Sequence, residues 1–176
     1  MIYFTSMKIL SARNDFYCAV LEPYHQGDLQ LLYDAKHTLY TDDNPDVNEC
    51  REGILSAMHK SGPTYFEDMF INPNYDAFVL FNKEHQIIGS ADLLYSKKMN
   101  SAMMCGSHVL STHRGQRLVD LLFEARERHV LTQTFFRALH LEVDHDNLAS
   151  QKAAIRNGFK PAKNFRDEFM LFEKSL

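Results

Sequence analysis

Between Ala77 and Val143 the apolar residues change period twice, and this switch restricts the fold more than any other feature of the chain. Three runs, Ala77 to Phe81, Gln86 to Tyr95 and Ala102 to Leu110, read as strands; the polar breaks Asn82 to His85 and Lys97 to Ser101 suit hairpin connections. Leu118, Leu121, Leu122, Ala125 and Val130 then recur at the spacing of one helix face, the strongest helical signal in the sequence. Ala138 to Val143 returns to alternation and reads as a further strand. Three neighbouring antiparallel strands, a helix and another strand imply a sheet with helices packed on it.

The flanks extend this order. Leu29, Leu32, Tyr33 and Ala35, and then Ile54, Leu55 and Met58, are helically spaced on either side of the turn-rich Thr41-Asp42-Asp43-Asn44-Pro45, after a strand around Cys18 to Leu21. Downstream, Asn147 to Asn157 reads as a helix with Asn147 as N-cap and Gly158 as its stop, and Phe169 to Phe172 as a last strand. There is no repeat, low-complexity tract or linker. The 176 residues suit a single α/β domain over 1–176, built on a mixed central sheet flanked by helices.

Composition narrows the function classes. A formal net charge of −4 leaves no basic surface for phosphate contacts, so nucleic acid is excluded as a general partner. No run is long enough to span a bilayer and Met1 to Asp15 lacks a signal pattern, so no membrane partner and a soluble, cytoplasmic chain are expected. Cys18, Cys50 and Cys105 are odd in number and lack zinc-type spacing, which points to neither disulfides nor a metal site. The charge is uneven: residues 28 to 76 hold ten acids against three bases.

The segment Val109-Leu110-Ser111-Thr112-His113-Arg114-Gly115-Gln116-Arg117-Leu118-Val119 passes from a strand end through a tight turn into a helix. Such a junction aims unpaired backbone N–H groups and the positive helix end at one point, which suits a phosphate or pyrophosphate, and Arg114 and Arg117 add charge.

This segment resembles motif A of the GNAT superfamily of acyl-CoA-dependent N-acyltransferases, V-x-P-x-x-R-G-x-G-x-G/A, with Val109, Arg114 and Gly115 in register. Asn147-Leu148-Ala149-Ser150, followed by Asn157-Gly158-Phe159, is similar to the family's motif B. The resemblance covers roughly Ala77 to Leu176 and implies a GNAT-type, mostly antiparallel sheet with acetyl-CoA as co-substrate. It further implies that Val109, Leu110 and Ser111, then Arg114, Gly115, Gln116, Arg117, Leu118 and Val119, with Asn147 and Ser150, bind the cofactor, that pantetheine enters where the preceding strand splays from its neighbour, and that a main-chain N–H near Val109 holds the thioester carbonyl. The chain departs from the pattern at Ser111, where the family has proline, and at Arg117 and Val119, where it has small residues, so that Val119 narrows the expected cradle.

Acyl transfer to an amine needs a neutral nucleophile, a polarised carbonyl and a proton for the departing thiolate. The resemblance leads one to expect a glutamate on the strand before the turn, but Met103 to Val109 has no carboxylate. His108 is the side chain there that titrates near neutrality, with Glu142 and Asp144 on the next strand as bases acting through water. Where many members carry a tyrosine, seven residues after the motif B asparagine, this chain has Ala154. Solvent or Tyr95 then supplies the proton, or the domain is a non-catalytic CoA-binding or interaction module. Cys105, beside the expected slot, reads as a packing residue.

The acceptor is read as a small-molecule or peptide amine, and a homodimer is compatible with the resemblance. In the GNAT fold the two N-terminal helices border the acceptor side, so the acidic stretch, including Asp42, Asp43 and Asp46, forms a rim favouring polyamines, aminoglycosides or a lysine side chain. For such an acceptor, KM should climb with ionic strength as screening shortens to a Debye length of about 8 Å at physiological salt. A salt series at fixed acetyl-CoA measures this.

Overall fold

The computed structural model describes residues 7–23, 27–42, 51–132, 135–162 and 169–176. Its elements run β1 (Lys8–Arg13), β2 (Phe16–Val20), α1 (Asp28–Thr41), α2 (Arg51–Ser61), a one-turn α3 (Glu67–Phe70), β3 (Tyr75–Asn82), β4 (Ile87–Ser96) and β5 (Ser101–Val109). They continue through α4 (Val119–Thr132), β6 (Ala138–Asp144), α5 (Leu148–Arg156), β7 (Lys160–Pro161) and β8 (Phe169–Ser175). One eight-stranded sheet has the order β1-β2-β3-β4-β5-β6-β8-β7, antiparallel throughout except between β5 and β6. This is the mixed, mostly antiparallel sheet flanked by helices expected from the sequence.

Alternation along β3 shows why it forms the centre. Phe78 and Leu80 point into one core with Val20, Ile88, Leu93, Leu121 and Leu122, under α4 and α5. Ala77, Val79 and Phe81 point into another with Leu21, Leu31, Leu32, Met58 and Phe70, under α1 to α3. A strand buried on both faces reads as a continuous apolar run. The second core draws its strand residues from β2, β3 and the start of β4, so the helices on that face leave β5, β6 and β8 uncovered.

β1 is an element that the sequence reading passed over. Its register shifts between Ile9 and Ser11, and the irregularity puts Leu10 and Ser11 both inside, so the alternation that would mark a strand is broken. The buried Ser11 hydroxyl donates to the Leu121 carbonyl at 2.8 Å and ties the hairpin to α4. The 3-10 turn Gly62–Phe66 and α3 were also missed, being too short to show a period.

A bulge in β5 positions everything downstream. Ser90 pairs with His108 but Asp92 with Cys105, and Gly106 takes the positive φ of 59° that the extra residue requires. From the α4 side, Arg126 enters this bulge fully buried. Its Nη2 donates to Ser107 Oγ at 2.7 Å, Nη1 lies 3.3 Å from the carbonyls of Asp92 and Cys105, and Nε donates to the Leu122 carbonyl. Burial pushes its pKa down to about 10, so it stays charged at neutrality. On the other face, Lys36 Nζ contacts both Asp92 oxygens at 2.8 and 2.6 Å, and the Tyr75 hydroxyl donates to Asp92 at 2.7 Å. A Cβ on Gly106 would lie 2.5 Å from Asp92 Oδ2, so glycine is needed there for space as well as for φ.

Removing the guanidinium strands these carbonyls inside an apolar layer. Arg126→Ala should lower the unfolding free energy by about 3 kcal/mol or more, measured by urea denaturation.

Candidate active site

β5 and β6 pair at three positions only, Ser101 to Met103 against Ala138 to His140. Beyond Met103 the bulge turns β5 away, and a gap opens between Met104 to Ser107 on one side and Leu141 to Asp144 on the other. Val119 and Phe123 of α4 and Asn147, Ser150 and Ala153 of α5 complete a cavity of about 150 Å³. The splayed strand pair implied by the family resemblance is therefore present.

The turn after β5 leads to the same place. Ser111–His113 forms a single 3-10 turn, after which Gly115 (φ 81°) and Arg117 (φ 57°) both adopt left-handed backbone. Arg117 stands where motif A has its glycine, and the backbone keeps the conformation glycine would favour, at a cost of roughly 1 kcal/mol or more for a residue with a Cβ. No backbone carbonyl among the described residues accepts from the amides of Gly115 to Val119. These donors at the head of α4 border a cavity of about 280 Å³, walled by Arg114, Arg117, Val119, Ala149 and Ala153. Val119 forms part of its wall, and the cradle stays open despite the larger side chain. An anionic pyrophosphate fits such a site through N–H groups and the helix end.

Three members of the expected cradle are committed elsewhere. The Leu110 amide donates to Ile88 O at 2.9 Å, which keeps it in the sheet. The Ser111 amide and hydroxyl donate to Asp42 at 3.0 and 2.8 Å. Arg114 places Nη2 3.3 Å from Asp42 and donates through Nε to Val109 O at 3.0 Å, so it braces the turn. Leu118 contributes only its amide, because its side chain is in the core, and Gln116 is exposed.

Asp42, the C-cap of α1, thus fastens that helix to the turn. Its carboxylate is nearly enclosed and also lies 3.2 Å from His108 Nε2. Burial alone would raise its pKa, but the Ser111 hydrogen bonds, His108 and Arg114 outweigh that and hold it below the usual carboxylate range. Burial lowers the pKa of His108, an effect that Asp42 opposes and Arg114 reinforces. His108 is therefore predominantly neutral at pH 7, its Nε2 directed at Asp42. Of the expected acidic rim, Asp42 is a paired structural anion, Asp28 is buried and accepts the Glu22 amide, and Asp76 is held by His129 and Tyr95, while Glu52, Glu67 and Asp68 are exposed. Asp43 and Asp46 lie outside the described residues.

The remaining expected residues separate. Glu142 is exposed on β6 and lines both the gap and a groove on the uncovered sheet face. Tyr95 is not brought to His108: it stands five residues along β4 from Ser90, the partner of His108, roughly 16 Å away. Its hydroxyl donates to Asp76, and burial, with the Asp76 charge, pushes its pKa far up. Asn147 uses its side chain to accept the Ser150 amide at 3.0 Å, capping α5, while both residues line the gap. Ala154 is wholly buried, and Ala153 is the residue that faces the gap, whose lining contains no tyrosine. Asp92, Lys36 and Arg126 were missed because each looks ordinary in sequence. The one available signal was Arg126 on the apolar face of the strongest helix, four residues after Leu122.

The sequence profile described as the Acetyltransferase (GNAT) family matches residues 33–159. Comparison with functionally characterised sequences gave no match. Among solved structures, the PaiA N-acetyltransferase of Thermoplasma acidophilum in complex with coenzyme A is similar at 16% identity and a TM-score of 0.65, over 90% of this chain and 99% of that one. The spermidine N-acetyltransferase of Vibrio cholerae in complex with CoA and spermine is similar at 14% and 0.62, over 93% and 96%. The Salmonella typhimurium acetyl transferase that modifies the N-terminal serine of ribosomal protein L7/L12 is similar at 15% and 0.59, over 96% and 99%. At these identities the likeness establishes a shared fold.

The His108 and Asp42 pair predicts a pH dependence of stability. A histidine with a lowered folded pKa contributes stability that is full above its unfolded value of about 6.5 and is lost as pH falls through the folded pKa. Asp42, also lowered, loses its contribution only below the unfolded value of about 3.9. Unfolding free energy should therefore fall between pH 7 and pH 5 more steeply in the wild type than in His108→Gln, as read from urea midpoints across that range.

Proposed function

Because the chain belongs to the acetyltransferase (GNAT) family, we propose that it transfers an acetyl group from acetyl-CoA to a primary amine by direct attack in a ternary complex. The observation that carries this reading is the continuous path from the free amides at the head of α4, through the β5–β6 gap, to the open sheet face, with Glu142 on both the gap and that face. Two of the similar structures are complexes with coenzyme A, one of them also with spermine, which supports the same chemistry.

In this reading the pyrophosphate rests on the amides of Gly115 to Val119 with Arg117 beside it, and pantetheine lies in the gap. The thioester then reaches the bulge at Cys105 to Ser107, where a main-chain N–H of β5 between the bulge and Val109 polarises its carbonyl. The amine nitrogen forms a bond to the carbonyl carbon, and collapse of the tetrahedral adduct breaks the C–S bond. Glu142, through water, takes the proton that the attacking nitrogen sheds. His108, buried and turned to Asp42, holds the turn to α1. The departing thiolate takes a proton from solvent. Holding both reactants in one gap supplies much of the acceleration.

A second reading, a CoA-binding module without turnover, is favoured by Ala154 and by the absence of a carboxylate on β5. Thiol release from acetyl-CoA over a panel of primary amines separates the two. With an active amine, Glu142→Gln should lower kcat about 100-fold with acetyl-CoA affinity preserved. Acetyl-CoA binding with no thiol release for any amine would assign the module. Gly115→Pro should abolish acetyl-CoA binding in calorimetry, since proline removes an amide and its φ near −65° is incompatible with the observed 81°. Normal affinity in that variant would place the cofactor elsewhere.

A further inference from the structure

On the face that carries α1, no helix among the described residues covers the sheet beyond β4, and a groove of about 590 Å³ lies over β4, β5, β6 and β8. Leu94, Met103 and Leu171 supply apolar surface, and Met99 borders it. Its ionisable side chains in the uncovered strands are His140, Glu142 and Glu173, and no lysine or arginine lines it. Lys160, the register partner of Glu173 on β7, is exposed, lies outside the lining and forms no ion pair with Glu173 among the described residues.

Strand register sets the spacing of the two carboxylates. Glu142 pairs with Leu171 and His140 with Glu173, so Glu142 and Glu173 project from the same face as diagonal neighbours. Diagonal pairs stand about 7 Å apart. Glu142 lies nearer the gap and Glu173 farther along the groove, since Met103, the last β5 residue paired with β6, lies opposite His140. Burial lowers the pKa of His140 against the opposing pull of Glu142 and Glu173, so a neutral imidazole sits between two anions and leaves their charge uncancelled. Two carboxylates over an apolar floor complement two cations joined by an apolar spacer. An extended chain of four or five methylenes separates its terminal nitrogens by about 6 to 7.5 Å.

We propose that this groove is the acceptor site and that Glu173 determines its specificity, holding the distal ammonium of an aliphatic diamine whose reacting amine lies beside Glu142. The proposal rests on the acyltransferase reading and moves acceptor selection from the N-terminal helices to the sheet face.

The test compares 1,5-diaminopentane with n-pentylamine as acceptors, and separately titrates the diamine into CoA-loaded protein by calorimetry. The wild type should prefer the diamine by 10-fold or more in kcat/KM, about the 1.4 kcal/mol that a tenfold ratio represents. Glu173→Gln should bring that preference close to unity and weaken diamine binding by a similar factor, with acetyl-CoA affinity retained. Equal use of the two amines by the wild type, or a Glu173→Gln variant with undiminished preference and binding, would overturn the proposal while leaving the acyltransferase reading intact. Absence of thiol release with every amine would instead remove the acyltransferase reading, and the calorimetric arm would then decide the groove on its own. A dimer that Glu173→Gln dissociates with no change in diamine binding would assign the face to a second copy of the chain and also overturn the proposal. Glu173 is exposed, so the variant should fold, which its thermal unfolding curve checks.

Discussion

The buried guanidinium of Arg126 holds open the bulge on which the candidate site depends. An unpaired charge in an apolar core would be prohibitive, but this one meets the carbonyls of Asp92, Cys105 and Leu122 and the Ser107 hydroxyl, and its carbon lies 5.1 Å from the centre of the Phe123 ring. The Asp92 and Cys105 carbonyls and the Ser107 hydroxyl are free for Arg126 because the extra residue at Gly106 interrupts the β4–β5 ladder. The interruption bends β5 and ends its pairing with β6 after Met103. The gap is thus a consequence of one positive charge satisfied by backbone, with the Lys36–Asp92 pair bracing the opposite face.

A second electrostatic contact couples the two halves of the site. Asp42 closes α1 and at the same time binds the Ser111 amide and hydroxyl, Arg114 and His108. A helix whose other face packs against the sheet therefore fixes where the turn begins, and the turn in turn fixes where the free amides of α4 point. Arg156 and Asn157 do the same for α5, both donating to Asp120 in the first turn of α4. An acidic residue there also favours the positive helix end. The cradle for an anion is accordingly framed by carboxylates that are themselves neutralised by protein donors, so they do not repel a phosphate.

The side chains often associated with this chemistry in the family are replaced by geometry. β5 carries no carboxylate, and Glu142 and Asp144 of the opposing strand line the gap where that strand has parted from β5. α5 has no tyrosine and presents the small Ala153 to the gap. In the proposed mechanism the amine approaches over the sheet face beyond Glu142, because among the described residues helices α1 to α3 cover only the other half of that face.

The order of elements was legible from residue 77 onward because each strand there is long, regular and bounded by polar breaks, and because Leu118 to Val130 keeps strict helical spacing. Motif A was legible because its chemistry belongs to the main chain: Gly115 marks the turn whatever the neighbouring side chains. β1 was hidden by its own irregularity at Leu10. The acidic stretch from residue 28 to 76 was only partly legible, for a different reason. Sequence reports formal charge, but whether a carboxylate acts on solvent or on the protein depends on partners 69 to 72 residues away, as with Ser111 and Arg114 at Asp42. The same holds for Arg126 and for the carboxylates of Glu142 and Glu173. Local spacing could place them on a helix face and on strands, and only the tertiary register could turn them into a clamp for a bulge and the two anions of one groove.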